Sequence, residues 1–145
     1  MNAVVDAPGA GALDPKSVVL RFYALMNERK FDGAFEFLSD DVEWWLSGTQ
    51  SVGGQKASGT LNKAEFTQAM RLVGDLTVGG MAFEPGMMLV EGNSLAMTVE
   101  SKAKLQNGRT YHNHIAIFLE VRDGKIAWVR EYADTKHVHD TLLAP

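Results

Sequence analysis

Apolar residues recur at helical spacing in the first half of the chain and alternate at strand spacing in the second. Val18, Val19, Phe22 and Met26 form one stripe behind Asp14-Pro15, a capping residue followed by proline where a helix has no need of that N–H. A first helix is therefore predicted from Pro15 to Asn27–Lys30. Phe31 to Leu38 predicts a short second helix closed by Ser39-Asp40-Asp41, and Val42 to Leu46 is aromatic and branched enough for a strand. Gly48 to Gly59 reads as a loop. Asn62 then caps a third helix, which carries Phe66, Met70 and Val73 on one stripe and ends near Gly74.

Beyond this helix the pattern is that of strands and turns. Thr77 to Phe83 and Met87 to Glu91 flank Pro85-Gly86, which predicts one long strand bent at a bulge. Gly92-Asn93, Asn107-Gly108 and Asp123-Gly124 are hairpin turns. They delimit strands at about Ser94 to Leu105, Arg109 to Val121 and Lys125 to Tyr132, with a short tail helix from Thr135. The expected fold class is α+β: three helices against a long, curved, antiparallel sheet, forming a cone with one closed end.

Composition narrows the picture. A chain of 145 residues suits one domain, expected over residues 15–145, after an N-terminal segment 1–14 whose Pro, Gly and small residues read as a flexible tail without the features of a signal peptide. No apolar run approaches the ~20 residues of a membrane span. A net charge of -4 without a Lys/Arg cluster argues against nucleic acid as a partner. The absence of cysteine excludes disulfides and thiolate zinc sites, and a cytoplasmic location is the default expectation.

The element order, with the stretches VVLRFYALMNERKFDGAFEFLSDDVEW and GRTYHNHIAIFLEVRDGKIAWVREYAD, resembles the SnoaL-like, nuclear-transport-factor-2-like superfamily over Pro15 to Leu142. The resemblance implies a hollow cone whose interior takes a small, largely apolar molecule. Isomerases, cyclases, epoxide hydrolases, lyases and non-catalytic members share this architecture, so the reaction must be argued from the site.

Strand alternation sorts the inward side chains. Tyr111, Asn113, Ile115, Ile117 and Leu119 form one face of their strand and are expected inside, with His112, His114, Ala116 and Phe118 outside. The same reasoning, aided by the resemblance, places Thr98, Glu100 and Lys102 inside on the preceding strand and Ala127, Val129, Glu131 and Ala133 inside on the last. Tyr23, Met26, Phe66 and Met70 should close the cavity from the helices, with Trp44, Met81, Phe83, Asn113 and Ile115 completing its lining as substrate-binding residues.

Glu100 and Glu131 are the expected catalytic pair, because two carboxylates in an apolar cavity oppose each other's ionisation and can serve as acid and base. Lys102 would hold one of them charged or stabilise an enolate, and Tyr111 or Tyr23 would donate to the same oxygen. The alternative is that Glu100 and Lys102 form a solvated ion pair at the rim while Glu131 pairs with Arg130 or Arg71. Resemblance to the limonene epoxide hydrolase branch implies that Thr98 and Glu100 stand where it has Arg-x-Asp, and Glu131 where it has a second Asp. Trp44 and Leu46 replace its water-holding Tyr and Asn.

His112, His114, His137 and His139 invite a zinc hypothesis, but no acidic residue stands at a supporting spacing and no metal is assigned. No cofactor is expected. The resulting reading is an acid–base enzyme of the isomerase, cyclase, lyase or hydrolase type acting on a small hydrophobic molecule; the alternative is a non-catalytic binding or assembly module. The outer-face set His114, Ala116, Phe118, Trp128 and Tyr132 predicts a homodimer, unless the chain's own tail covers it.

Overall fold

A computed structural model describes residues 14–52 and 54–145, so the expected flexible tail lies almost wholly outside the described residues. Helix α1 (Pro15–Asn27) starts where its capping signal stands: the Asp14 carboxylate accepts a hydrogen bond from the Ser17 N–H at 2.7 Å. Its stripe of Val18, Val19, Phe22, Tyr23 and Met26 is buried against the sheet. Helix α3 (Lys63–Asp75) begins in a reciprocal capping box, with the Glu65 N–H donating to the Asn62 side chain at 2.8 Å and the Asn62 N–H to the Glu65 carboxylate at 2.9 Å.

Between them the structure departs from the local signals. Helix α2 (Phe31–Phe35) is shorter than predicted, and strand β1 (Leu38–Leu46) already includes Ser39-Asp40-Asp41. The cause is tertiary: Leu38 pairs with Ile126, whose N–H donates to the Phe37 carbonyl at 2.6 Å, and a register shift before Glu43 absorbs the polar run. The predicted loop contains a small hairpin, β2 (Ser51–Val52) and β3 (Gln55–Lys56), followed by β4 (Gly59–Leu61).

Strands β5 (Thr77–Glu91), β6 (Ser94–Leu105), β7 (Thr110–Arg122) and β8 (Lys125–Tyr132) form the predicted meander in a six-stranded sheet of order β4-β1-β8-β7-β6-β5. All pairs are antiparallel except β1 and β8, which run parallel, a correction to the uniformly antiparallel expectation. The long excursion between these two strands supplies the crossover that parallel neighbours require. Strand β5 is continuous but shifts register between Val78 and Ala82 and again between Pro85 and Met88. Gly79 and Gly80, at φ 87° and 92°, make the first of these bends.

The main core fills the space between α1, α3 and the concave face of the sheet. Helix α4 (Thr135–Val138) and a π-helical turn (His139–Leu143) fold back over one end. Arg109 fastens this segment by donating to the carbonyls of Asp140, Ala144 and Pro145, and Asn107 donates to that of Thr141. No described helix is long and apolar enough to cross a membrane.

Candidate active site

A cavity lies within the cone and offers about 110 Å³ to the centre of a water-sized molecule. One ordered water needs only ~10–15 Å³ by this measure, so the space suits a small organic molecule. Helix α1 lends Tyr23 and Met26, α3 lends Phe66 and Met70, and the sheet lends Trp44, Met81, Phe83, Ile115 and Tyr111. All nine were expected there from helical spacing and strand alternation. The aromatic rings brace one another: Trp44 stacks on Phe66 at 3.9 Å between centroids, and Tyr23 packs against Phe83 at 5.3 Å.

Glu131 is the one charged residue lining this cavity among the described residues. Strand β8 carries it inward beside Leu46 of β1, and the Trp44 indole Nε1–H donates to its carboxylate at 3.0 Å. Burial raises its pKa to about 7, against the opposing pull of the Trp44 hydrogen bond. Burial likewise pushes the Tyr23 hydroxyl well above its ordinary value, with the charge of Glu131 adding to the rise. Tyr111 is raised chiefly by burial, while its neighbours Ser101 and Asn113 temper the effect.

The Ser101 hydroxyl is buried in the cavity wall without a well-formed hydrogen bond to any described residue. The Tyr111 hydroxyl is its polar neighbour, close enough for Ser101 to temper the rise in the tyrosine's pKa. Glu131, Tyr111, Tyr23 and Ser101, with Ser47 and Gln50, are the polar residues of a mostly apolar lining. Ser101 was not foreseen, although the alternation Leu95, Met97, Val99, Ser101, Ala103 along β6 points to it directly.

That alternation also corrects the placement of the other carboxylate. Thr98, Glu100 and Lys102 project from the convex face, because the inward parity of β6 belongs to its apolar residues. Glu100 bonds His112 at 2.8 Å, and this hydrogen bond lowers its pKa; Lys102 pairs with Glu84 at 2.9 Å, which raises its own. Neither reaches the cavity, and no carboxylate pair is assembled. Nor does Glu131 take an arginine partner. Arg130 lies over the rings of Trp45 and Trp128, and Arg71 pairs with Asp32 at 2.8 Å.

Asn113 is inward and buried but does not line the cavity. Its amide clamps the turn after β8, donating to the Asp134 carbonyl at 3.1 Å and accepting from the Asp134 N–H at 3.0 Å. On β8 the inward set is Ile126, Val129 and Glu131, with Ala127 also buried, because a bulge opposite Glu120 and Val121 resets the alternation. His112 and His114 face outward as expected.

Fold and site together define a hollow α+β cone protein with, among the described residues, one carboxylate lining its cavity. The chain belongs to the SnoaL-like domain family, whose profile matches residues 19–129. Its fold is shared by TerC co-crystallised with polyporic acid, at TM-score 0.74 and 22% identity, covering 90% of this chain and 98% of that one. It is also shared by IdmH, a candidate polyketide cyclase from Streptomyces antibioticus, at TM-score 0.72 and 15% identity over 89% and 95% of the chains. A limonene-epoxide-hydrolase-like enzyme of Mycobacterium tuberculosis superposes at TM-score 0.63 and 18% identity over 92% and 90%. Identities this low establish the fold alone. A comparison of the sequence with curated proteins gave no match.

Proposed function

We propose that this protein is a cofactor-independent acid–base enzyme acting on a small, mostly apolar molecule that carries a carbonyl or phenolic oxygen. The observation that carries the reading is Glu131: a single carboxylate inside an apolar chamber, oriented by Trp44 and poised to titrate near neutrality. In its charged form Glu131 takes a proton from a carbon beside the substrate carbonyl. The electron pair moves to the carbonyl oxygen, which receives hydrogen bonds from the hydroxyls of Tyr111 and Ser101. Returning the proton from Glu131 to another atom of the resulting enolate completes an isomerisation, or follows a ring closure, with no external reactant. The low polarity of the chamber strengthens these interactions by excluding water. The presence of a candidate cyclase and a ligand-bound relative among proteins of this fold favours a ring-bearing substrate.

Two experiments test the proposal in sequence. Thermal-shift screening of ketones, phenols, quinones and epoxides identifies a ligand, since binding to the folded state raises the melting temperature by mass action. With a turned-over ligand in hand, Glu131→Gln preserves shape and removes proton transfer, so turnover should fall by ~100- to 10,000-fold while binding persists. A Glu131→Gln enzyme with near-wild-type turnover would sink the acid–base role and leave the cavity as a binding site.

A further inference from the structure

Three metal-binding side chains meet on the convex face of the sheet, away from the cavity. Glu100 of β6 and His114 of β7 are directly opposed in the strand pairing, and His112 stands two residues before His114 on the same face. The His112 Nε2 lies 2.8 Å from the Glu100 carboxylate, and the two imidazole rings are 4.8 Å apart between centroids. One ligating atom from each of the three lies within 4.8 Å of the others.

We propose that Glu100, His112 and His114 form a binding site for a divalent transition-metal ion of the zinc type. Two imidazoles and one carboxylate would bind it, and water would fill the outward side. The donor set selects the ion class, because imidazole with carboxylate suits zinc, copper or nickel better than the all-oxygen preferences of magnesium or calcium.

Geometry supports it in two ways. The backbone is held in place, since β6 and β7 pair without a register shift from Ser94 and Glu120 to Lys104 and Thr110. The side chains are adjustable, with those of His112 and Glu100 43% and 41% exposed. Ligand atoms around a tetrahedral zinc ion stand roughly 3.3 Å apart, given bonds of ~2.0–2.2 Å. Side-chain rotation therefore has to open the His112–Glu100 pair slightly from 2.8 Å and draw in the widest pair from at most 4.8 Å.

The surroundings do not oppose a cation. Lys102, on the same face beside Glu100, is neutralised by Glu84 at 2.9 Å, and Glu84 is itself directly opposed to Glu100 across β5 and β6. His137 is already engaged, its Nε2 accepting from the His112 N–H at 3.0 Å, and His139 sits against Asp140 at 3.3 Å, so neither joins the ligand set. Spacing along the chain cannot reveal this site, because its carboxylate arrives from the neighbouring strand.

The test is calorimetric titration of the tag-free, chelator-treated protein with Zn²⁺, with thermal melting as a second readout. One equivalent should bind saturably and raise the melting temperature, since the ion ties β6 to β7. His112→Ala and His114→Ala should each abolish saturable binding, and Glu100→Gln should weaken it at least tenfold. His139→Ala should change nothing. Circular dichroism of each variant secures the comparison, and these outward positions leave the core untouched. Absence of saturable binding by the wild type, or binding retained when His112 and His114 are both replaced, overturns the proposal.

Discussion

At the residue scale Glu131 balances opposing forces. Desolvation holds its proton on, and the Trp44 indole pulls towards the carboxylate, with a net pKa of about 7 against an ordinary value of 4.5. Between those two values the unfolded chain has released this proton while the folded protein retains it, so the folded state binds more protons and stability falls as pH rises. The contribution is fully present below about pH 4.5 and lost by the time pH has risen through about 7, a change of roughly 3 kcal/mol from this group. Urea unfolding at pH 5 and pH 8 should show this loss in the wild type and its absence in Glu131→Gln. Equal pH slopes in the two proteins would show that the carboxylate is not held as described. A rate that depends on the charged base should rise through the same region near neutrality.

At the element scale the C-terminal segment closes the chamber and is secured from one position. Val138 and Leu142 line the cavity and pack on the Ala103, Leu105 and Tyr111 cluster, while Arg109, just before β7, donates to the carbonyls of Asp140, Thr141, Ala144 and Pro145. Arg109→Ala leaves those carbonyls to water and removes the tie. Amide exchange over residues 135–145 should accelerate with little change in the β5 to β8 core, and affinity for any cavity ligand should fall. Unaltered exchange in that segment would show that its apolar contacts alone suffice. The bend in β5 has a comparable economy. A Cβ on Gly80 would run into the Arg29 guanidinium, so glycine there lets the strand turn beneath that side chain at the cavity's adjoining cleft.

At the scale of the whole molecule we propose a homodimer through the convex face. Phe118 is 48% and Tyr132 44% exposed, and with Trp128, Leu89 and Val90 they border a shallow depression that Glu91, Glu120 and Arg130 also line. Phe118 meets Tyr132 edge to face at 6.1 Å, giving a rigid aromatic ridge that a two-fold axis can set against its own copy. Sedimentation or light scattering at micromolar concentration should report a dimer, and Phe118→Glu should convert it to a stable monomer. A wild-type protein that is monomeric under these conditions removes the claim.

Helix caps, hairpin turns and strand alternation were all readable because each depends on residues within a few positions of one another. Asp14-Pro15, the Asn62 capping box and the glycine turns start and end their elements where local chemistry demands, and the cavity residues from α1 and α3 follow from helical spacing. The tertiary structure decided the rest. The start of β1 at Leu38 depends on pairing with Ile126, and the parallel match of β1 to β8 on a crossover of more than fifty residues. For Glu100 the alternation of its own strand pointed outward, and the resemblance to a two-carboxylate branch was the weaker guide. The inward position of Glu131 is legible from strand parity, but its hydrogen bond comes from Trp44, 87 positions away. Its standing as the lone carboxylate of the cavity among the described residues, like the meeting of Glu100 with His112 and His114, is a property of strands brought side by side, and no spacing along one strand encodes which residues its neighbour will present.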